Sequence, residues 1–357
     1  MNKILVRTGQ ADFPLSKPEF VRRFRSRFTD PAFADEQTQI DQLLDIAWDG
    51  YLNGRKSPVT RKAGPEFADP EYELSVDWLA TREAVLAAQR VHEEASGPSR
   101  VLLICAASRN DKSCPGEMSK SYRMVKLAQA CFATRQVEVD VLDLSLLTSE
   151  YAKIIYPCKG CVSTAMPLCH WPCSCYPNHG LGQVNDWMSE IYPRWVAAHG
   201  IMIITPVYWY QAPSGLKLMI DRLVCADGGN PDPSTTHGKK AAEAKSIEVE
   251  GWSYPRHLAG RSYALVVHGD AAGTETLRRS ISDWLNDMDL IQAGAESCID
   301  RYIDYYGKYA ASHDAFDRDS ALHQEVRNAA GALVESILQR RRGITSPDAD
   351  LHDPRPK

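Results

Sequence analysis

The chain has 357 residues, more than the ~100–200 of a typical domain, so we expect one core domain with extensions. Its 44% hydrophobic and 24% charged residues are typical of a globular protein, and its net charge of −5 gives no reason to expect a nucleic acid or an anionic membrane as partner. The apolar patch near Ile4 is too short for a signal peptide, and no run approaches the ~20 residues of a membrane span. The expected location is therefore the cytoplasm.

Residues 1–98 are predicted to form a helical extension. A basic amphipathic segment from Lys17 to Phe28 favours either a membrane or acidic-partner surface, or a surface helix whose phenylalanines dock on the main domain. A second helix is expected over 36–50, and Ser75 is placed to cap a third. Nothing in this extension carries recognisable chemistry.

An apolar run from Arg100 to Ala107 predicts the first strand of a core domain. A dinucleotide-binding loop would follow it with G-x-G-x-x-G, but hydroxyl and basic side chains stand here instead, ahead of a helix predicted over 122–133. Hydroxyls and free N–H groups at a helix N-terminus suit a terminal phosphate, and a plain helix cap is the alternative. The candidate phosphate-binding residues are Ser108, Arg109, Ser113, Ser119, Lys120 and Ser121.

A second strand is predicted over 137–142, and a long irregular segment over 151–183 follows it. The chain has ten cysteines, and this segment holds Cys158, Cys161, Cys169, Cys173 and Cys175. C-x₂-C supplies two thiolates from one turn, and two further cysteines complete a four-coordinate iron or zinc site. The alternatives are an iron–sulfur cluster, zinc, and thiols that are redox-active or merely packed.

Ile201–Ile204 predicts a third strand, buried on both faces, and Thr205-Pro206 is expected to end it because proline lacks an N–H. Aromatic residues follow in a loop, and helical spacing begins at Leu216. Ligands bind outside the carboxyl ends of the strands in open α/β sheets. The candidate ring-binding residues are Pro206, Val207, Tyr208, Trp209 and Tyr210.

A fourth strand is predicted over 261–268, and its final turn contains His268, Gly269 and Asp270. Backbone N–H groups in such a turn suit a polar ring edge on which negative charge develops. The long segment before this strand, 225–260, is expected to be a lid or an oligomer contact. A helix over 275–288, a short fifth strand at 295–299 and a terminal helix from Leu322 to Ile337 follow. The predicted divisions are 1–98, 99–343 and a disordered tail, 344–357.

The sequences Thr205-Pro-Val-Tyr-Trp, Pro213-Ser-Gly-Leu-Lys and Ile220-Asp-Arg resemble the flavin-contacting loop and following helix of the NADPH-dependent FMN reductase family. This flavodoxin-like family includes the iron–sulfur flavoproteins, and the resemblance covers roughly 100–297. It implies an α/β fold, a doubly wound five-stranded parallel sheet in the order 2-1-3-4-5, between the helical extension and the terminal helix. In the phosphate loop, Ala107 stands where the family has a glycine.

The resemblance implies an enzyme, an FMN-dependent NAD(P)H oxidoreductase that passes electrons to a flavin, quinone or similar small acceptor. No catalytic side chain is expected, because flavin accepts the hydride. The alternatives are an iron–sulfur flavoprotein that carries electrons between protein partners through a [4Fe–4S] cluster at Cys158–Cys175, and a non-catalytic regulator that keeps the fold. The family is usually dimeric or tetrameric, so a homo-oligomer is expected.

Overall fold

The computed structural model of the chain describes residues 4–253 and 255–344, apart from the side chains of 224–226. The chain divides into two compact units. The cysteine-loop unit comprises 1–80, 159–186 and 230–253, and the sheet unit comprises 81–158, 187–229 and 254–357. The divisions predicted at residues 98 and 343 remain predictions. The tail, 344–357, is predicted to be disordered, and its residues beyond Ile344 lie outside the described part of the chain.

The elements follow in chain order. The first are α1 (Lys17–Arg25), α2 (Gln37–Leu52), β1 (Thr60–Lys62), β2 (Glu73–Ser75) and α3 (Val76–Glu93). The next are β3 (Ser99–Cys105), α4 (Lys120–Ala133), β4 (Val137–Asp143), α5 (Leu146–Ser149), α6 (Met188–Ala197), β5 (Gly200–Pro206), α7 (Ser214–Asp227) and α8 (Ala241–Val249). The last are β6 (Ser262–Gly269), α9 (Thr274–Asp287), β7 (Ile291–Gln292), β8 (Cys298–Tyr302), α10 (Ser312–Arg318) and α11 (Ser320–Arg341).

In the cysteine-loop unit, the aromatic face of α1 packs on α2. The Phe20 ring lies 5.1 Å from that of Trp48 and 5.2 Å from that of Tyr51, measured between centroids. The phenylalanines of this basic helix therefore dock within the extension itself. An antiparallel hairpin of β1 and β2, which the sequence did not predict, follows α2.

The sheet unit is built on parallel strands in the order β4-β3-β5-β6, with β7 and β8 both paired to β6. If β3 is numbered as the first strand of the sheet and β4 as the second, this is the predicted order 2-1-3-4-5. The predicted fold class is therefore confirmed. The fifth position is divided into two short strands, so this sheet has six strands within the described part of the chain. The predicted fifth strand, 295–299, begins instead at Cys298, because Gly294 turns at φ +97° and residues 295–297 form a 3₁₀ turn.

Strand β5 is buried along its whole length and continues through Thr205 and Pro206, which the sequence prediction placed at its end. Strand β3 pairs with β5 only as far as Ile204, whereas β6 pairs with it up to Pro206. Alternate N–H groups of a strand point to opposite neighbours, so the position of the missing Pro206 N–H faces the side where β3 has already ended. Proline therefore removes no hydrogen bond between paired strands at this position. Helices α4 and α11 cover one face of the sheet and contribute to the same buried apolar cluster.

Two histidines of the sheet unit form a stacked pair, in which His199 is buried and His92 is half-buried. The rings of His92 and His199 stack with centroids 4.7 Å apart. His199 Nδ1 accepts from the Arg100 N–H at 3.0 Å, and its Nε2 lies 3.0 Å from the His92 carbonyl oxygen, so Nε2 is the donor. Burial lowers the pKa of His92 to about 3 and that of His199 to about 4, and Arg261 and Arg341 add to the effect.

We expect the stability of the protein to fall as the pH decreases from about 6.5 towards 4. Both folded-state pKa values lie below the unfolded value of 6.5, so the neutral histidines contribute stability that is fully present above pH 6.5. Urea unfolding at several pH values measures this. His199→Gln keeps a hydrogen-bond donor and an acceptor but does not titrate, so it should flatten the dependence of the unfolding free energy on pH. His179→Gln, at an exposed position, is the control and should leave that dependence unchanged. An unchanged profile for His199→Gln would refute the assignment.

Candidate functional site

The loops that follow β3, β5 and β6 line one cavity of about 410 Å³ in the sheet unit. This is the edge at which open α/β sheets bind ligands. The predicted site residues that line it are Arg109, Ser119, Lys120, Ser121, Pro206, Val207, Tyr208, His268, Gly269 and Asp270. The other predicted residues, Ser108, Ser113, Trp209 and Tyr210, are not among its lining residues. Three separate predicted turns are therefore brought together.

Lys120 is a buried cation at the N-terminus of α4. Its Nζ lies 3.1 Å from the Asp270 carboxylate and donates to Ser312 Oγ at 2.8 Å. Ser119 caps the helix by accepting the Tyr122 N–H at 3.1 Å. Arg109, also at the cavity, pairs with Glu117 at 3.0 Å. The site thus holds two cations and the positive end of a helix dipole.

Ser121 and His268 meet across the cavity wall. Ser121 Oγ and His268 Nε2 are 2.7 Å apart, and both residues are buried. Burial, with the nearby Lys120, lowers the pKa of His268 to about 3, so the ring is neutral. Its Nδ1 is buried and has no hydrogen-bond partner among the described residues. A buried polar atom left without a partner beside a cavity is typical of a ligand site.

The aromatic loop is a tight two-residue turn. Tyr208 and Gln211 exchange both backbone hydrogen bonds, at 2.9 and 3.0 Å. The central residues Trp209 and Tyr210 both have positive φ, at 49° and 64°, a conformation that favours Asn and Gly. Trp209 is 95% exposed and Tyr210 is 61% exposed. Backbone strain and exposed aromatic surface are thus retained together next to the cavity, as at many functional sites.

Replacing the turn residues, Trp209→Asn with Tyr210→Gly, should raise the free energy of unfolding by about 1 kcal/mol. Left-handed backbone costs other residues ~1–2 kcal/mol each, but the loss of the Tyr210 side chain, which is only 61% exposed, and the greater freedom of glycine in the unfolded chain offset part of the gain. Urea unfolding is the measurement. Tyr151→Gly is the matched control, since Tyr151 is 90% exposed without positive φ, and it should lose stability. A loss of stability in the turn variant would show that the turn is not strained.

The part of the cavity that follows β8 was not predicted from the sequence. Tyr309, Ala310 and Ser312 line it, together with Ala107 and Glu117. A signal was available, because four tyrosines crowd the end of the fifth strand position and the segment directly after it. They are Tyr302, Tyr305, Tyr306 and Tyr309. Tyr306 N–H donates to the Asp270 carbonyl at 3.0 Å, which ties this segment to the turn after β6.

The cysteines do not support the predicted cluster. Among the described residues, no group of three or more Cys, His, Asp or Glu side chains is placed to hold a metal ion. Within the cysteine-loop unit, Cys161 and Cys175 approach to 3.7 Å between sulfurs, but Lys239 Nζ lies 3.9 Å from Cys161 Sγ. A lysine ammonium is a cation and cannot serve as a ligand. The residues therefore do not fit a [4Fe–4S] centre held by Cys158, Cys161, Cys169, Cys173 and Cys175.

The same cluster is electrostatically unusual. The hydrogen bond from Cys175 and the charge of Lys239 lower the pKa of Cys161 to about 7, although burial opposes them. Burial lowers the pKa of Lys239, but the negative charge that the four surrounding cysteines carry as thiolates outweighs burial, so the net change in this pKa is upward. His170 is not available as a ligand, because its Nε2 contacts Thr236 Oγ1 at 3.0 Å and its Nδ1 contacts Ser174 Oγ.

The parallel sheet with a ligand-sized cavity at the carboxyl ends of its strands defines a flavodoxin-like α/β protein. A family model described as NADPH-dependent FMN reductase matches residues 99–301, which is more than half of the 357. The chain belongs to this family, and it is an oxidoreductase. Across the described residues, the helices include none that is both long and apolar enough for a membrane span.

Several solved structures are similar to this chain. RosB with bound 8-demethyl-8-formylriboflavin-5′-phosphate has 10% identity and a TM-score of 0.46, over 70% of this chain and 83% of that one. An FMN-dependent NADH-azoreductase from Bacillus anthracis has 14% identity and a TM-score of 0.38, over 66% and 99%. An NAD(P)H:quinone oxidoreductase from Methanothermobacter marburgensis has 12% identity and a TM-score of 0.41, over 66% and 98%. No curated protein sequence matches. The family assignment rests on the family match and not on these similarities.

Proposed function

We propose that this chain is an FMN-dependent NAD(P)H oxidoreductase that passes electrons through bound FMN to a flavin, a quinone or a similar small acceptor. The observation that carries the proposal is the convergence of the loops after β3, β5 and β6 on one cavity. Its volume of about 410 Å³ is within the ~300–1,000 Å³ typical of small-molecule sites. Membership of the family supports FMN as the cofactor.

The cavity residues fit FMN by their chemistry. Arg109, Lys120 and the N-terminus of α4 would hold the phosphate, since charged donors and a helix N-terminus both favour an anion. Val207 and Tyr208 would contact the ring, and the neutral His268 offers its free Nδ1 to a polar group. Bound FMN would supply the hydride acceptor. Trp209 and Tyr210, adjacent to Tyr208, would offer exposed aromatic surface to the donor or acceptor.

The purified protein tests this proposal directly. We expect a yellow protein that releases FMN on heating and that oxidises NADPH only when a flavin or a quinone is added. Protein stripped of FMN is the control, and its activity should return with FMN and not with FAD. A protein that neither retains nor rebinds FMN would contradict the proposal, and flavin reduction without electron transfer to any small acceptor would favour a protein acceptor.

The assembly and location of the protein stay proposals drawn from the resemblance and the composition. We expect a homo-oligomer, a dimer or a tetramer, in the cytoplasm. Light scattering coupled to size exclusion measures the mass in solution, and a value near the 39.8 kDa of one chain would contradict the oligomer.

A further inference from the structure

The thiols of Cys161 and Cys175 form a close pair inside the cysteine-loop unit. Their sulfurs are 3.7 Å apart, so only a small movement separates them from a disulfide, whose S–S length is about 2.0 Å. Both are free thiols; Cys175 is buried, whereas Cys161 is partly exposed and reachable from solvent. The pair therefore has one accessible and one sheltered member.

Lys239 supplies a fixed positive charge to this pair. Its ammonium lies 3.9 Å from Cys161 Sγ and is held in place by donating to the Leu168 carbonyl oxygen. A cation at this distance stabilises a thiolate, which is the form of cysteine that attacks an electrophile. Cys161 also packs against a small apolar cluster of Ala165, Leu168 and Ala244, which positions the thiol on a folded surface.

We propose that Cys161 and Cys175 are a redox-active dithiol that a hydroperoxide closes into a disulfide, with Cys161 as the attacking residue and Cys175 as the resolving one. Such a pair requires an accessible attacking sulfur beside a cation and a second sulfur close to it. Cys161 Sγ lies beside Lys239, and the buried Cys175 Sγ is 3.7 Å from Cys161 Sγ.

The reaction balances in two steps. Cys161 thiolate attacks one oxygen of the peroxide, so that an S–O bond forms, the O–O bond breaks, and the leaving oxygen takes up a proton as water or an alcohol. Cys175 then loses its proton and attacks the Cys161 sulfur, so that the S–S bond forms and the S–O bond breaks with release of water. Two thiols lose two electrons in total, and the peroxide gains them. A small dithiol reverses the change by exchange.

The test uses the full-length chain, reduced and then freed of reductant. One equivalent of hydrogen peroxide should remove two thiols per chain, and peptide mass mapping without reduction should place the first disulfide between Cys161 and Cys175. Because this measurement needs no variant, it does not depend on how substitutions fold, and it is independent of flavin content. A first disulfide between other cysteines would overturn the proposal. So would a tightly bound iron or zinc ion, found by metal analysis, that must be removed before the thiols react.

Variants assign the roles of the two cysteines. Cys175→Ser should leave a sulfenic acid on Cys161 that a 1,3-dicarbonyl reagent traps, whereas Cys161→Ser should abolish the fast thiol loss. Cys131→Ser is the matched control, since Cys131 is half-buried in the sheet unit and lies 3.6 Å from the Arg327 carbonyl, and it should react as the unmodified chain does. Fast thiol loss in Cys161→Ser would overturn the assignment.

The role of the lysine is tested separately. Measured at pH 6, below the Cys161 pKa of about 7, Lys239→Met should slow the first step by up to about tenfold, the change in thiolate fraction for one pKa unit, and Lys239→Arg should restore the rate. Equal rates in all three proteins would remove Lys239 from the proposal. Melting temperatures of the variants, measured in reductant, exclude unfolding as the cause of a slower reaction.

Discussion

Lys120→Met is expected to lower the affinity for FMN by about a hundredfold, which corresponds to about 2.8 kcal/mol at 1.4 kcal/mol per factor of ten. The Lys120 ammonium is buried and lies 3.1 Å from Asp270. Methionine removes this positive charge and would leave the Asp270 carboxylate beside the proposed site of the FMN phosphate, which carries nearly two negative charges. The loss should therefore exceed that of a single hydrogen bond. Flavin fluorescence, titrated against protein freed of FMN, measures the affinity.

Lys126→Met is the matched control for this experiment. Lys126 lies on the same helix but is exposed, with its Nζ 5.1 Å from the centre of the Tyr122 ring, so FMN affinity should be unchanged. A second variant separates binding from folding. In Lys120→Met combined with Asp270→Asn, the unpaired carboxylate is gone and stability should recover, while FMN affinity should stay low. If the affinity recovers as well, Lys120 serves only to neutralise Asp270.

Gly200→Ala is expected to lower the free energy of unfolding by about 2 kcal/mol, because overfilling a packed core costs ~1–3 kcal/mol. A Cβ at Gly200 would lie 2.5 Å from Ile337 Cδ1 and 3.0 Å from Leu333 Cδ1, both on α11. Strand β5 and helix α11 approach each other at this point so closely that no side chain fits between them. Urea unfolding measures the effect.

Gly331→Ala makes the same chemical change on α11, but it should raise the free energy of unfolding instead of lowering it. Among the described residues, a Cβ there would have just Arg135 Nη2 within 4 Å, at an ordinary 3.6 Å, and alanine in a helix is ~1 kcal/mol more favourable than glycine. In an Ile337→Val background the cost of Gly200→Ala should shrink, because the nearest clashing atom is removed. An equal loss of unfolding free energy in both backgrounds would show that packing against α11 is not the reason why position 200 requires glycine.

The central strands could be predicted because they are buried on both faces. Leu102 in β3, Ile203 in β5 and Val266 in β6 are fully buried, and such strands appear in the sequence as continuous apolar runs. Helix α8 was missed because it has almost no apolar stripe, and Ala244 is its only residue described as buried. Helix α10 is only seven residues long, too short for periodicity to be recognised.

The position of the site could be predicted from the strand ends, but its internal contacts could not. The contact of Ser121 with a phosphate stays a prediction, but the pairing of its hydroxyl with His268, far away in the chain, was not foreseen. No local pattern indicates that contact. The cysteine spacing suggested a metal, and nothing in it indicates that Lys239 lies against Cys161. These outcomes depend on side chains that only tertiary folding brings together.

The cysteine-loop unit is assembled from three stretches of chain that are interrupted by parts of the sheet unit. Its amino-terminal stretch depends on late residues, since Ala68 N–H donates to the Asp232 carboxylate at 2.7 Å and Asp69 N–H donates to Ser234 Oγ at 3.0 Å. During synthesis on the ribosome, the first eighty residues must therefore wait for the third stretch to emerge before these bonds can form. A nascent chain that stalls before Asp232 leaves its leading segment incompletely packed and open to chaperones or proteases.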